Sequence, residues 1–232
     1  MDNQETANIC VLPKVSIVMP TFNRAAQVTK AVQSVLKQTF TNWVLYIIGD
    51  KCPVLDSLMQ KSFAHDSRIQ WYNLQKNSGE GSLPRNYALK NLVTTNLVYY
   101  LDDDNTLEPN HIESLYTALK TGFTFAFSSF SFAHKNIRVL CSQPIKYRIQ
   151  TSCVMHHMSL VTKYGFWRRT AECGYDVGWD LVSRWVKGNE PWQATKIFTC
   201  ITGGDLTLIT NAYDDQHEKI AFLTLEHPLS VT

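Results

Sequence analysis

Val15-Ser-Ile-Val-Met-Pro20 runs into Thr21-Phe-Asn-Arg24, and further along Leu97-Val-Tyr-Tyr-Leu101 runs into Asp102-Asp-Asp-Asn105. Both follow one pattern: a short run of β-branched and aromatic residues, then an abrupt polar stop. Such near-continuous apolar runs are expected of strands buried on both faces. The pattern recurs at Trp43 to Ile48, stopped by Gly49-Asp50-Lys51, and more weakly at Arg68 to Tyr72. Amphipathic stretches lie between. Val28, Ala31, Val32, Val35 and Leu36 fall at helical spacing, Val54, Leu55, Leu58 and Met59 mark a second helix, and Leu83 to Leu92 a third. The order β-α-β-α-β-α-β predicts an α/β fold, a single Rossmann-like, mostly parallel sheet with helices on both faces. Ligands of such sheets sit beyond the carboxyl ends of the strands, where the polar stops fall.

After Asn105 the alternation loosens. Pro109 to Lys120 reads as a helix with proline at its start. Phe123 to Phe132, Ile137 to Cys141 and Thr151 to Met155 read as strands, and Val177 to Val186 as a helix with Val177, Leu181, Val182, Trp185 and Val186 on one side. Residues 203–218 are rich in Gly, Asp and Asn and read as a mobile loop. No repeat or linker divides the chain. A single domain over 1–232 is expected, with a ligand-binding half at about 14–105 and a second half at about 106–232.

Composition excludes several classes. The 232 residues are 44% hydrophobic and 18% charged, with a net charge of +2. That balance is globular and argues against nucleic-acid binding by bulk charge. No apolar run reaches the length of a membrane helix, and Met1 to Asn8 is polar and acidic, unlike a signal peptide. The six cysteines are scattered without a Cys-x-x-Cys pair. They read as reduced thiols of a cytoplasmic protein, with peripheral membrane contact left open.

The acidic triplet is the sharpest chemical feature. Adjacent carboxylates repel unless something positive sits among them, and oxygen ligands suit Mg²⁺ or Mn²⁺. In an extended chain Asp102 and Asp104 point the same way, so both can face one ion. The plain alternative is a solvated turn before the helix at Pro109. Upstream lies Lys76-Asn-Ser-Gly-Glu-Gly-Ser-Leu-Pro-Arg-Asn86. Gly79 and Gly81 permit close backbone approach to a ligand, and Arg85 suits a diphosphate. By itself this stretch is a surface loop leading into a helix. Beside the carboxylates it points to a nucleoside diphosphate.

Taken together, Val15 to Arg24, Ser34-Val-Leu-Lys-Gln-Thr-Phe40, Asn77-x-Gly79, Arg85-Asn86 and Leu101-Asp-Asp-Asp104 resemble the inverting family-2 glycosyltransferases of the GT-A fold. The resemblance spans about residues 14–105, and the order and spacing of the motifs carry it. It implies that Pro20, Thr21, Asn23 and Arg24 lie at the nucleotide pocket, with Asn77 and Gly79 from the facing loop. Asp50 matches the acidic residue that reads a base, usually uracil, through its N3–H. The family's Asp-Asp-Gly-Ser here becomes Gly49-Asp50-Lys51-Cys52. Arg85 would approach the diphosphate. Asp102 would reach the ribose or sugar side, Asp103 would belong to the nucleotide-sugar site, and Asp104, with Asp102, would hold the metal.

The family's Glu-Asp-Trp-Asp-Leu segment corresponds to Tyr175-Asp-Val-Gly-Trp-Asp-Leu181, with Arg184 following, but its base position falls on Gly178. The proton acceptor is then Asp180, the first choice, or Asp176. Asp176 is also a plausible helix N-cap and Asp180 a first-turn acid. His156 and His157, after the strand at Thr151 to Met155, are candidates to touch acceptor, sugar or metal, and His217 a candidate lid or metal residue. The resemblance implies a metal-dependent inverting transfer, from a UDP-sugar such as UDP-glucose, to a hydroxyl of a glycan, lipid-linked or protein acceptor. A sugar-nucleotidyltransferase and a non-catalytic nucleotide-sugar binder are the alternatives. A dinucleotide-binding dehydrogenase is disfavoured, because no Gly-x-Gly-x-x-Gly follows the first strand.

Overall fold

The computed structural model describes residues 14–120, 122–133 and 137–203. The loop expected at 203–218 therefore lies, but for Gly203, outside the described residues, and His217 with it. The first half runs β1 (Val15–Thr21), α1 (Ala25–Leu36), β2 (Trp43–Gly49), α2 (Leu55–Ser62), β3 (Ile69–Asn73), α3 (Ser82–Asn91) and β4 (Leu97–Tyr100). The second half runs β5 (Thr106–Leu107), α4 (His111–Leu119), β6 (Phe125–Phe132), β7 (Arg138–Val139), β8 (Val154–His157), α5 (Ser159–Tyr164), α6 (Thr170–Cys173), α7 (Val177–Lys187) and β9 (Trp192–Thr202).

All the described strands share one sheet, ordered β3-β2-β1-β4-β8-β6-β9-β5, with β7 on the free part of β6. From β1 the chain steps outward to β2 and β3, all parallel. It then returns through α3 to place β4 on the other side of β1, also parallel. The strand order thus reverses between β1 and β4, and the reversal leaves a crevice at their carboxyl ends. The register sets Val18 opposite Tyr100 and Thr21 opposite Gly49. Thr21, Asp50 and Asp102 therefore leave the sheet along one edge. Every residue of β2 is buried, as is nearly all of β1, which is why both read as continuous apolar runs.

Beyond β4 the directions alternate. β8 is antiparallel to β4 and to β6, whereas β9 is parallel to β6. β9 escaped the sequence pattern although it is the longest strand. Its alternation breaks at Lys196, held at φ 60°, and its pairing with β6 slips between Phe127 and Phe130. Such a bulge inserts a residue and cancels the period of two. The strand expected at Thr151 to Met155 begins instead as a 3-10 turn, Thr151–Cys153, and extends to His157. The short helices α5 and α6 carry too few residues to show a period.

Candidate active site

A cleft of about 460 Å³ opens at the β1/β4 crevice, walled by Pro20 to Phe22, Arg24, Asp50, Asn77, Gly79 to Gly81, Pro84, Arg85 and Asp102 to Asp104. That volume is in the range of small-molecule sites. Of the residues expected there, Pro20, Thr21, Arg24, Asp50, Asn77, Gly79, Arg85, Asp102, Asp103 and Asp104 all line it. Asn23 does not. It sits at φ 54° and its N–H donates to the Cys52 sulfur at 3.2 Å. Its work is to turn the chain after β1.

Asp50 is held by the facing loop. Its carboxylate accepts from the Ser78 N–H at 2.9 and 3.0 Å, the Ser78 hydroxyl at 2.9 Å and the Gly79 N–H at 3.1 Å. The Asn77 amide donates to the Asp50 carbonyl at 2.8 Å. Gly79 has φ +72°, which only glycine adopts without strain. The departure from the family pattern at Gly49 to Cys52 has a local cause. A side chain at Gly49 would meet Asn73 Oδ1 at 2.6 Å. Asn73 spends its amide on the backbone of Cys52, donating to its carbonyl and accepting from its N–H, both at 2.8 Å. Lys51, where the family has glycine, keeps the left-handed conformation at φ 58°.

The three aspartates divide their work. Asp103 turns inward, only 6% exposed, and accepts from the Thr21 hydroxyl at 2.7 Å. Arg24 bridges Asp103 and Asp104 at 3.0 and 3.1 Å, and Arg85 pairs with Asp102. Burial, then repulsion from Asp102 and Asp103, pushes the Asp104 carboxyl above its ordinary pKa, against the pull of Arg24. The turn is thus short of positive charge. Among the described residues no three metal-ligating side chains converge, so one or two carboxylates are what the chain offers a cation. That set of hard oxygens fits Mg²⁺ or Mn²⁺ completing its shell on substrate phosphates.

Arg85 is 6% exposed and stacks on Trp167, 4.6 Å from the ring centroid. Its Nε is buried with no hydrogen-bond partner among the described residues. A buried donor without a partner costs free energy, and this one belongs to a guanidinium that walls the cleft. A side chain at Gly81 would collide with that guanidinium. Glu80 ties the loop to α6 by accepting from Arg169 Nε at 2.6 Å and the Thr170 N–H at 2.9 Å.

The histidines fall elsewhere. Because β8 is antiparallel to β4, His156 and His157 lie opposite Val98 and Leu97, at the end of β4 remote from the acidic turn. His156 is fully buried, 3.0 Å from the Tyr100 hydroxyl and packed against Trp185. Burial pulls its pKa down to about 4, and it sits as a neutral group in the core, away from the cleft lining. His157 also does not line the cleft. The residues that do reach the turn precede β8. Ser152 Oγ accepts from the Asp102 N–H and the Asn105 amide, both at 2.8 Å. Sequence reasoning missed it by looking past the strand's carboxyl end.

Asp176 and Asp180 stand outside the cleft wall. Asp176 caps α7, accepting from the Trp179 N–H at 2.9 Å. Asp180 lies 3.2 Å from Arg184 and 3.5 Å from Arg168. Its Oδ2 is the oxygen of the Arg184 ion pair and makes no other contact of hydrogen-bond type among the described residues. Arg184 also donates to the Gly165 and Phe166 carbonyls at 3.2 and 2.9 Å, closing the end of α5.

Comparison with known proteins bears on this geometry. The family model described as glycosyl transferase family 2 matches residues 16–164. A poly(ribitol-phosphate) β-N-acetylglucosaminyltransferase of Staphylococcus aureus is 35% identical over 107 residues, 45% of this chain and 32% of that protein. An uncharacterized glycosyltransferase of Acanthamoeba polyphaga mimivirus is 32% identical over 158 residues, 58% of this chain and 62% of that protein. The chain therefore spans from about a third to three fifths of these relatives. Among solved structures, S. aureus TarS in complex with UDP-GlcNAc superposes with a TM-score of 0.68 at 14% identity, covering 86% of this chain and 61% of that one. A Pyrobaculum calidifontis mannosyltransferase with GDP-Man and Mn²⁺ reaches 0.66 at 10% identity, covering 84% and 58%. At such identities the structural likeness speaks for the fold alone. The sheet that reverses between β1 and β4 is the GT-A sheet, and with the family match over 16–164 this chain belongs to glycosyl transferase family 2.

Proposed function

We propose that this chain transfers a sugar from a UDP-sugar, UDP-glucose being the first to try, to a hydroxyl of a glycan, lipid-linked or protein acceptor with inversion at the anomeric carbon. Mn²⁺ or Mg²⁺ is the expected cofactor. The observation that carries this reading is the pairing, in one cleft, of an Arg85 Nε donor that has no partner among the described residues with a carboxylate turn short of cation.

Asp50 holds the base, and Arg85 turns its free Nε–H to a phosphate oxygen of the donor. Asp102 and Asp104 are the carboxylates for the cation, with Asp102 also near the ribose or sugar, and Asp103 fixes the turn through Thr21. A bound divalent ion supplies positive charge as the diphosphate leaves. Asp180 takes the proton of the acceptor hydroxyl, whose oxygen attacks the face opposite the leaving group, so that one displacement inverts the centre. Asp180 is favoured over Asp176 because its carboxylate makes only side-chain ion pairs, with Arg184 and Arg168, whereas Asp176 Oδ1 is committed to the α7 cap.

Calorimetric titration of UDP and UDP-glucose, with and without Mn²⁺, tests this on the wild type and Asp104→Ala. Metal-dependent binding that the variant loses is the expected result. Absence of binding by every nucleoside diphosphate, with or without metal, would sink the reading. Binding without turnover toward any hydroxyl acceptor would leave a nucleotide-sugar binder.

A further inference from the structure

The Asp50 carboxylate is unevenly used. Oδ2 takes the Ser78 N–H at 2.9 Å, the Ser78 hydroxyl at 2.9 Å and the Gly79 N–H at 3.1 Å. Among the described residues Oδ1 takes only a share of the Ser78 N–H, at 3.0 Å. A carboxylate oxygen offers about two lone-pair sites, so Oδ2 is saturated and Oδ1 keeps room for one more donor. The loop cannot easily release it. Gly79 has φ +72°, its N–H also bonds Asn77 Oδ1 at 2.8 Å, and Asn77 holds the Asp50 carbonyl.

Building on the nucleotide-sugar reading above, we infer that Ser78 and Gly79 set the base specificity of the donor, by pinning Asp50 so that a single acceptor oxygen faces the base. Such a reader accepts a base with one ring N–H between two carbonyls, the pattern of uracil. Guanine presents adjacent N1–H and N2–H donors that call for both oxygens, and one is spent. Cytosine and adenine present a ring-nitrogen lone pair, which an acceptor repels. Ser78 and Gly79 are positioning residues, acting on the base only through Asp50.

The same pinning makes Asp50→Asn directional. The two N–H groups at Oδ2 demand an acceptor, so the amide oxygen takes that place and the NH₂ turns to the base. A donor there suits the N3 lone pair of cytosine and opposes the N3–H of uracil.

Competition titrations of UDP, GDP and CDP with Mn²⁺ test the idea on the wild type, Asp50→Asn and Ser78→Ala, folding being checked by circular dichroism. Wild type should prefer UDP over both others by at least about tenfold, the worth of one charged hydrogen bond. Asp50→Asn should reverse the UDP/CDP order. Ser78→Ala, which removes one of the three donors that hold Oδ2 and leaves its two backbone bonds, loosens the carboxylate and should narrow the UDP/GDP ratio. Wild type that binds GDP as well as UDP, an Asp50→Asn that is folded yet still prefers UDP to CDP, or an unchanged ratio in Ser78→Ala would each overturn the inference. Failure of all three nucleotides to bind wild type would instead overturn the nucleotide-sugar reading beneath it.

Discussion

The two halves of the sheet handle polar groups in opposite ways. From β1 to β4 every strand runs in one direction and delivers its chemistry at its carboxyl end: Thr21, Asp50 and Asp102 meet in one cleft. From β5 to β9 directions alternate, and polar groups are as often sealed inside as presented. His111 and His156 are both fully buried, whereas Ser152 reaches the acidic turn from the leading end of β8. In a parallel array position along the strand predicts exposure to the site. In a mixed array it does so only once the partner and its direction are known.

The largest expected effect probes the one catalytic role assigned to the second half. Asp180→Asn should lower kcat by about 10²- to 10⁴-fold, the usual worth of a general base, with donor affinity unchanged. Asp176→Asn should leave kcat within a few-fold, because asparagine also caps helices well. The opposite pattern would move the base to Asp176.

Next is pH. Burial holds His111 and His156 neutral, with pKa values of about 3 and 4. The unfolded chain takes up those protons near pH 6.5, while the folded chain refuses them until about pH 4 or below. The native state therefore binds fewer protons in this window. Stability is fully present above about pH 6.5 and falls as the pH drops toward 4, by up to about 1.4 kcal/mol per pH unit for each histidine. Urea midpoints between pH 7 and 5 should show the slope, and His156→Asn should flatten it by about half. An unflattened slope would show that His156 does not carry the acid sensitivity.

A smaller effect tests the seam between the halves. Ser152→Ala strips the Asp102 N–H and the Asn105 amide of their acceptor, at a cost of about 1–3 kcal/mol for buried groups left unpaired. Both the thermal midpoint and Mn²⁺-dependent UDP binding should fall. His157→Ala should move the second by less than about twofold, being remote from the turn. The smallest effect lies in the first half. Lys51→Gly removes the penalty of a left-handed lysine, about 1 kcal/mol, against a similar gain of unfolded-chain entropy. The net change should stay within about 1 kcal/mol in a denaturant titration.

Most of the first half was legible because its signals are local. Apolar runs such as Trp43 to Ile48 specify doubly covered strands, and the polar stops after them lie where parallel topology puts a ligand. The order β1 to β4, the acidic turn, Arg85 and the Asp50 stop all follow from residues adjacent in the chain. The pairing that sets Ser152 under Asp102 joins positions 50 apart, and nothing local to either announces it. The direction of β8, which removed His156 and His157 from the site, depends on its neighbours β4 and β6 and not on its own four residues. The same holds for the division of labour inside the triplet. Three identical side chains in a row carry no label, and only the surrounding fold turns Asp103 inward to Thr21 and leaves Asp102 and Asp104 the more open to the cleft. Covalent neighbours and periodicity determined which elements form and where a ligand would be met. Long-range packing, which alone sets burial, strand direction and hydrogen-bond partners, decided which side chains take part.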